Sequence, residues 1–216
     1  MRLVKSSLET WNLAQHPNII VGLAGGTASG KTTLAKRIAE RFGDHCLLIS
    51  HDLYYLDVPN PKGHNYDSPT ALDNDLLASH LDLLATGKPA PLPVYNFATH
   101  TRQEAVNWVK PAPIVLLEGI LILAIPALRQ RCNYTVFVNA PDTLRLERRI
   151  TRDMAQRGRS REDVLAQYEA TVRPMHDLHV GPSATGVDLN LNGAGRIEDE
   201  EAILFQKIQS FAELRT

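Results

Sequence analysis

Residues 19–33 read Ile-Ile-Val-Gly-Leu-Ala-Gly-Gly-Thr-Ala-Ser-Gly-Lys-Thr-Thr, and this stretch decides the fold. Its apolar first part, 19–24, has the length of a buried strand. A glycine-rich turn follows, and beyond it Leu34, Ile38 and Phe42 recur every four residues, as they do along one face of a helix. The stretch therefore predicts a strand, a tight loop and a helix over 32–42 in direct succession.

The loop carries the spacing Gly25-x-x-x-x-Gly30-Lys31-Thr32. At this spacing backbone N–H groups curl around the phosphates of a nucleotide, and the helix N-terminus offers further N–H groups to the anion. Gly25 and Gly30 allow backbone angles or a close approach that a Cβ would obstruct. We expect Lys31 to reach the β- and γ-phosphates and the Thr32 hydroxyl to coordinate Mg²⁺.

A glycine-rich turn with a solvated lysine is the alternative, but the flanking strand and helix favour nucleotide binding. The predicted nucleotide-binding residues of the loop are Gly25, Gly26, Thr27, Ala28, Ser29, Gly30, Lys31, Thr32 and Thr33.

Composition narrows the class of protein. A chain of 216 residues with 44% hydrophobic content fits one α/β domain spanning 1–216. A net charge of −1 argues against a general nucleic-acid or membrane-surface binder. The two cysteines show no Cys-x-x-Cys spacing, which argues against a zinc site and a disulfide framework and is typical of reducing cytosol. We therefore expect a cytoplasmic protein without a nucleic-acid or membrane partner.

Further apolar runs begin near 45, 114, 134 and 187, and helical patterns lie between them. This alternation predicts a mostly parallel five-stranded sheet with helices on both faces. Segment 53–110 is predicted to be an insertion with a helix over 73–86 and a small hairpin whose return strand is 104–110. A capping box predicts a short helix at 6–14. Asp142 is expected to cap a helix whose apolar face is Leu144, Leu146, Ile150 and Met154.

Two carboxylates follow predicted strands, and the carboxyl ends of parallel strands share one edge of a sheet. Asp52 comes directly after the second strand, where it could accept a proton from a hydroxyl group, hold a water on Mg²⁺, or merely cap the next turn. Glu118 ends a strand buried on both faces, and an acid there is costly without a partner. Mg²⁺ with its waters would be that partner, so Thr32, Glu118 and Asp52 form the predicted metal site.

Eight arginines lie between positions 145 and 173, on two predicted helices joined by the turn Arg157-Gly158-Arg159. Such a segment, 145–174, could be a lid that closes over a transferring phosphate and excludes water. The alternative is a solvated helix with Glu147 and Asp153 as salt-bridge partners.

Together these motifs resemble the uridine kinase (uridine-cytidine kinase) family of P-loop kinases, over about residues 19–182. Asp52-Leu53-Tyr54-Tyr55 resembles the family's Asp-x-aromatic-Tyr. The resemblance implies that Asp52 is the general base for the 5′-hydroxyl of a nucleoside and that Tyr55 lines the nucleoside pocket. Tyr66-Asp67-Ser68-Pro69 looks like the family's Phe-Asp-His-Pro, in which the aspartate holds ribose hydroxyls. Asp67 takes that role by resemblance.

The hairpin and the lid carry the rest of the resemblance. Tyr95-Asn96-Phe97-x-x-His100-x-Arg102 is similar to Tyr-Asp-Phe-x-x-His-x-Arg, whose Tyr, Phe and His surround the pyrimidine. By the same resemblance, Arg149 and the catalytic Arg152 are lid arginines, and Arg159 and Gln167 face the nucleoside. The chain departs from the family at Tyr66, Ser68 and Asn96, and it lacks the usual lysines after Pro182.

The resemblance implies ATP- (or GTP-) and Mg²⁺-dependent phosphorylation of the 5′-hydroxyl of uridine or cytidine, giving UMP or CMP in pyrimidine salvage. It also implies a homo-oligomer. One alternative is a kinase for another small alcohol, such as a different riboside, pantothenate or a sugar phosphate. Another is a nucleotide-dependent switch, although the Asp-x-x-Gly and Asn-Lys-x-Asp motifs of GTPases do not occur in the sequence.

Overall fold

The computed structural model describes residues 18–58 and 63–215. Five strands form one sheet: β1 (Ile19–Gly25), β2 (Cys46–Ser50), β5 (Ile114–Glu118), β6 (Tyr134–Asn139) and β7 (Leu189–Asn192). Their order in the sheet is β2-β5-β1-β6-β7, and every neighbouring pair is parallel. The predicted parallel sheet is confirmed, while the helix predicted at 6–14 lies outside the described residues.

Seven α-helical segments accompany the sheet within the described residues. They are α1 (Lys31–Phe42), α2 (Asn74–Ala85), α3 (Pro126–Arg129), α4 (Asp142–Arg157), α5 (Arg161–Gln167), α6 (Arg173–Met175) and α7 (Ile197–Glu213). Two π-helical turns, Tyr168–Val172 and His176–Val180, lie on either side of α6 and continue the helical path that α5 begins. In the described part of the chain, no helix has both the length and the apolarity needed to cross a membrane.

The helices pack on both faces of the sheet, as predicted. On one face, Ile38 of α1 and Ile208 of α7 belong to a single buried cluster with Val21 of β1. On the other face, Leu77 and Leu81 of α2 pack with Ile20 and other side chains of the strands. Burial of one such side chain contributes about 1.5 to 3 kcal/mol to stability. The two clusters therefore hold the helices against the sheet, and with them the loops that join helices to strands at its edge.

A separate antiparallel hairpin, β3 (Ala90–Asn96) and β4 (Thr101–Val109), lies beside the sheet. The return strand was predicted to begin at 104 but begins at Thr101, because pairing of Thr101 with Asn96 extends to the turn. Buried Ala90 and Leu92 attach the hairpin to the cluster that contains α2. This attachment holds the hairpin close to the turn that follows β2.

Two predictions for helix α4, its cap and its buried face, were wrong. Asp142 does not cap it, because the helix begins after Pro141, which makes no side-chain cap, and Asp142 is the first helical residue. The buried stripe is also not apolar: it consists of Arg145, Arg149 and Asp153, whereas Met154 is exposed. This helix faces the glycine-rich loop rather than an apolar core, so its inward side chains are charged.

Candidate active site

The glycine-rich loop lies between β1 and α1, as the motif predicts. Gly30 adopts φ 101°, in the left-handed region that favours glycine. A Cβ on Gly25 would lie 2.6 Å from the Val138 carbonyl oxygen, which explains why no larger residue fits there. Lys31 is only 8% exposed and forms no ion pair with a carboxylate of the described residues. Its charge is therefore available to an anion in the loop.

The remaining loop residues differ in their surroundings. Ser29 is fully buried and Thr27 is buried beneath an arginine of α4, whereas Thr33 is exposed on α1. Ala28 adopts φ 56°, an angle that non-glycine residues seldom take. The unusual backbone angles at Ala28 and Gly30 are consistent with a loop shaped around a ligand.

The Glu118 carboxylate is held by two hydroxyl groups. Thr32 Oγ1 donates to Glu118 Oε2 at 2.9 Å, and Ser50 Oγ donates to Glu118 Oε1 at 2.7 Å. Glu118 is 4% exposed and has no ion-pair partner in the described ranges. Ser50 was not predicted as a site residue, although its position at the end of β2, in register with Glu118, was a usable signal.

These groups fit a magnesium ion. Mg²⁺ keeps several waters and takes one or two carboxylates together with substrate phosphates, rather than an all-protein cage. Residues 18–58 and 63–215 contain no group of three or more His, Cys, Asp or Glu side chains that could hold a metal. Thr32 and Glu118, two of the three predicted metal ligands, are joined by a hydrogen bond. Within the described residues, no hydrogen bond joins Asp52 to either of them.

Asp52 lies in the short turn His51–Tyr54 directly after β2 and is half-buried. Its charge reaches two predicted acceptor residues, because it raises the pKa of Asp67 and that of Tyr55. Burial is the main cause of the raised pKa of the Asp67 carboxyl, and Arg149, Lys31 and Arg152 act in the opposite direction. Both carboxylates therefore lie within electrostatic reach of the cations of the loop and of α4.

Aromatic rings pack against one another near Asp52 and Asp67, where the acceptor is predicted to bind. The Tyr55 and Tyr95 ring centroids are 5.7 Å apart, and Tyr95 contacts Phe97 at 5.1 Å. Tyr66 lies against Tyr55 at 5.6 Å and against His100 at 4.9 Å. The structure thus brings together the four predicted pocket residues Tyr55, Tyr95, Phe97 and His100, although Phe97 is 56% exposed.

Two further rings complete this aromatic cluster and were not predicted as site residues. Tyr66 was noted only as a departure from the family, and His64, whose ring lies 4.6 Å from Tyr66, was not singled out. The sequence offered a weak signal, since both residues precede Asp67 by three positions or fewer. The aromatic cluster consists of Tyr55, His64, Tyr66, Tyr95, Phe97 and His100.

Two of the residues at which the chain departs from the uridine kinase family stabilise turns. Ser68 Oγ accepts from the Thr70 N–H at 3.3 Å and so caps the turn Pro69–Ala71. Asn96 Oδ1 accepts from the Ala98 N–H at 2.9 Å at the tip of the hairpin. Each side chain satisfies local backbone donors, as Ser and Asn commonly do in turns.

The predicted lid arginines contact three acceptors, one of which lies in the glycine-rich loop. Arg149 donates to Thr27 Oγ1 at 2.9 Å and to Gln167 Oε1 at 3.0 Å, and Arg159 donates to the same Gln167 oxygen. Asp153 is fully buried, and its carboxylate lies 2.8 Å from Arg152 Nε and 3.6 Å from Arg149 Nε. Arg149 therefore connects the loop to Gln167.

From the sequence, Asp153 was interpreted only as a salt-bridge partner on a solvated helix. Two more arginines, Arg157 at 3.6 Å and Arg159 at 3.9 Å, also pair with it. A single carboxylate thus orients four guanidinium groups, three of which, those of Arg149, Arg152 and Arg159, belong to the predicted active site.

We expect Asp67→Asn to weaken acceptor binding without lowering stability at neutral pH. Burial raises the pKa of Asp67, so folding favours the protonated carboxyl. That stabilisation is complete below the unfolded pKa and is lost as the pH rises through the folded pKa. The melting temperature of the variant should therefore increase relative to that of the wild type as the pH rises above the ordinary aspartate pKa of 3.8. A variant that loses stability relative to the wild type as the pH rises would contradict this.

A glycine-rich loop at the first strand, a hydroxyl-held carboxylate on the adjacent strand and an arginine-bearing helix define a P-loop nucleotide-binding fold of the kinase class. The model of the phosphoribulokinase / uridine kinase family matches residues 20–198. The chain therefore belongs to the phosphoribulokinase / uridine kinase family, and the resemblance seen in its motifs is confirmed.

Individual relatives agree with this assignment. A protein named uridine kinase from Chloroflexus aggregans is 46% identical over 188 residues, which cover 84% of this chain and 90% of that protein. One of the same name from Cronobacter sakazakii is 39% identical over 208 residues, covering 92% and 98%. The solved phosphoribulokinase from Rhodobacter spheroides has a TM-score of 0.59 at 15% identity and covers 81% of this chain and 69% of its own, which supports the fold alone.

Proposed function

We propose that this kinase transfers the γ-phosphoryl group of ATP, with Mg²⁺, to the 5′-hydroxyl of uridine or cytidine. The observation that carries the proposal is the aromatic cluster, which adjoins Asp52 and Asp67 at the edge of the sheet where the glycine-rich loop lies. Aromatic rings offer stacking surfaces for a base, and a carboxylate beside them accepts hydrogen bonds from ribose hydroxyls. Relatives named uridine kinase support the same acceptor.

In this proposal, Asp52 accepts the proton of the 5′-hydroxyl while Asp67 orients the ribose. General-base catalysis needs a carboxylate near both the hydroxyl and the phosphoryl group, and the turn after β2 lies at that edge. Asp67 supports this geometry because the charges of Asp52 and Lys31 both reach it. The main catalytic effect is then the positioning of alcohol and phosphate.

Positive charge is the second contribution. Lys31 and Arg152 would offset charge on the moving phosphoryl group, and Arg149 would bind the nucleotide phosphates beside Thr27. Thr32 and Glu118 would hold Mg²⁺ directly or through water. When bound, Mg²⁺ neutralises charge on the β- and γ-phosphate oxygens.

The main competing acceptor is a sugar phosphate, since the family also contains phosphoribulokinases. Such an acceptor needs a cation beside the aromatic cluster to bind its phosphate group. Arg102 lies there, but it pairs with Asp73 at 3.1 Å and donates to the carbonyl oxygens of Tyr54 and Tyr55. Its charge is thus engaged, which favours an uncharged nucleoside.

A panel of acceptors tests the proposal by the rate of ADP release with Mg-ATP. Uridine or cytidine should give the highest kcat/KM, and 2′-deoxyuridine should be poorer because it lacks a hydroxyl for Asp67. Ribulose 5-phosphate, pantothenate and a reaction without acceptor should stay near background. A preference for a phosphorylated sugar, or ADP release that no alcohol accelerates, would overturn the assignment. Replacing ATP by GTP in the same assay tests the donor.

The proposal extends to a cytoplasmic homo-oligomer built of one domain, 1–216, with an acceptor insertion over 53–110 and a lid over 145–174. Trp108 is 66% exposed and Val106 is also exposed on β4, which supports contact with another copy. A monomer in light scattering at assay concentration would contradict the oligomer.

A further inference from the structure

The second glycine of the loop, Gly26, lies against two side chains from elsewhere in the chain. A Cβ at this position would come within 2.7 Å of Arg145 Nη1 and 3.0 Å of His176 Cε1. Neither side chain was predicted to be part of the site. Real Cβ atoms essentially never approach another atom as closely as 2.7 Å, and 3.0 Å is tighter than most real Cβ contacts, so Arg145 and His176 occupy the space that any other residue at position 26 would need.

Arg145 is held rigidly on α4. It is 3% exposed, its Nε donates to the Ala140 carbonyl oxygen at 3.1 Å, and its Nη2 donates to Asp142 Oδ1 at 2.9 Å. The third nitrogen, Nη1, is buried and has no hydrogen-bond partner among the described residues. This nitrogen is the one directed at Gly26, so the fixed guanidinium limits how far the loop can move towards α4.

Asp142 connects Arg145 to the helical path that leads to His176. Its Oδ1 also accepts from the fully buried Tyr168 hydroxyl at 2.5 Å, and its Oδ2 accepts from Arg173 Nη2 at 3.1 Å. Asp142 thus ties the first turn of α4 to the π-helical turn and α6 that precede His176. Asp142 therefore holds Arg145 directly and, through Tyr168 and Arg173, anchors the helical segment that leads to His176.

The His176 imidazole is suited to lie beside a guanidinium. Burial lowers its pKa and Arg145 lowers it further, while Asp177 and Asp142 act in the opposite direction. A neutral ring is therefore favoured at neutral pH, and repulsion between two cations is avoided.

We propose that Arg145 is a positioning residue for the glycine-rich loop: seated on Asp142 and flanked by His176, it supports Gly26 and so sets the loop geometry that binds nucleotide phosphates. The inference rests on nucleotide binding by this loop but not on the identity of the acceptor. Binding of phosphates by backbone N–H groups requires a preformed loop, and misplacement of about 1 Å can cost about 10²-fold in rate. The support that Arg145 gives should thus be measurable as nucleotide affinity.

Calorimetric titration of Mg-ADP into Arg145→Met, Arg145→Lys and Arg196→Met tests this. Arg196 is an exposed arginine directly before α7, outside the lid, and serves as the matched control. We expect Arg145→Met to weaken Mg-ADP binding at least about 10-fold, Arg145→Lys to weaken it less, and the control to match the wild type. The KM of the acceptor should change less than twofold. Wild-type Mg-ADP affinity in a folded Arg145→Met protein, or equal losses for nucleotide and acceptor, would overturn the proposal.

A double-mutant cycle with Gly26→Ala and Arg145→Lys keeps the test decisive if Arg145→Met does not fold. Because the new Cβ would press on the guanidinium, the two effects on Mg-ADP affinity should be non-additive by several-fold. Additive effects would mean that Gly26 and Arg145 act independently, which contradicts the proposal.

NMR titration of the His176 ring gives a readout that general loss of structure would not produce. Its pKa should rise in Arg145→Met, where the neighbouring positive charge is gone, and stay near the wild-type value in Arg145→Lys, with Asp142 and Asp177 unchanged in both. An identical titration in the wild type and Arg145→Met would show that the two side chains do not meet at the loop, and the proposal would fail.

Discussion

Asp52→Asn should lower kcat about 10²- to 10⁴-fold while Mg-ATP affinity stays close to that of the wild type. The amide keeps the size of the side chain but cannot accept the proton of the acceptor hydroxyl. Asp52 is half-buried in the turn after β2, and its charge reaches Asp67 and Tyr55. The loss should therefore appear in the chemical step, measured by single-turnover formation of the nucleotide product.

Asp44→Asn is the matched control for this experiment. Asp44 is an exposed aspartate before β2, whereas Asp52 follows the same strand, so the two lie at opposite ends of it. The control should retain wild-type turnover. Full turnover in Asp52→Asn would remove the general-base role, and only a positioning or structural role for this carboxylate would be left.

Asp153→Asn should destabilise the fold by about 3 kcal/mol and lower kcat about 10²-fold. Removing one partner of a buried ion pair leaves the other uncompensated, and Arg149 beside Asp153 is itself buried. The same change releases Arg152, whose guanidinium would lose the acceptor that orients it. Chemical denaturation gives the loss of stability, and steady-state kinetics on the folded variant gives the loss in rate.

Glu147→Gln provides the comparison on the same helix, because Glu147 is exposed on the opposite side of α4 from Asp153. It should change stability by no more than about 0.5 kcal/mol and leave kcat unaltered. If Asp153→Asn behaves like this control, the four surrounding arginines do not depend on the carboxylate for their orientation.

Local sequence patterns predicted the framework well. The strand, loop and helix around Gly25 and Gly30 occur where the motif places them, because glycine spacing and apolar periodicity act over a few neighbouring residues. The start of α5 is equally local, since Ser160 accepts from the Asp163 N–H, three positions along the chain, at 3.1 Å. These features need no knowledge of distant contacts.

The predictions for α4 were wrong for the opposite reason. Periodicity favoured burial of Leu144, Leu146, Ile150 and Met154, since an amphipathic helix normally turns its apolar side inward. The inward face instead meets the glycine-rich loop, and Arg149 contacts Thr27, which lies 122 positions earlier in the chain. A helix pattern contains no information about such a partner.

The sequence by itself thus determined the parallel sheet, the phosphate-binding loop and the family, because these depend on short spacings and on the order of motifs. Only the tertiary structure decided that Ser50 holds Glu118, that His64 and Tyr66 complete the aromatic cluster, and that Asp153 orients the arginines. Each of these depends on side chains from different elements that meet only when the strands and helices pack. Hydrogen bonds and charge pairs act over a few ångströms, so their partners are fixed by packing and not by neighbouring residues in the chain.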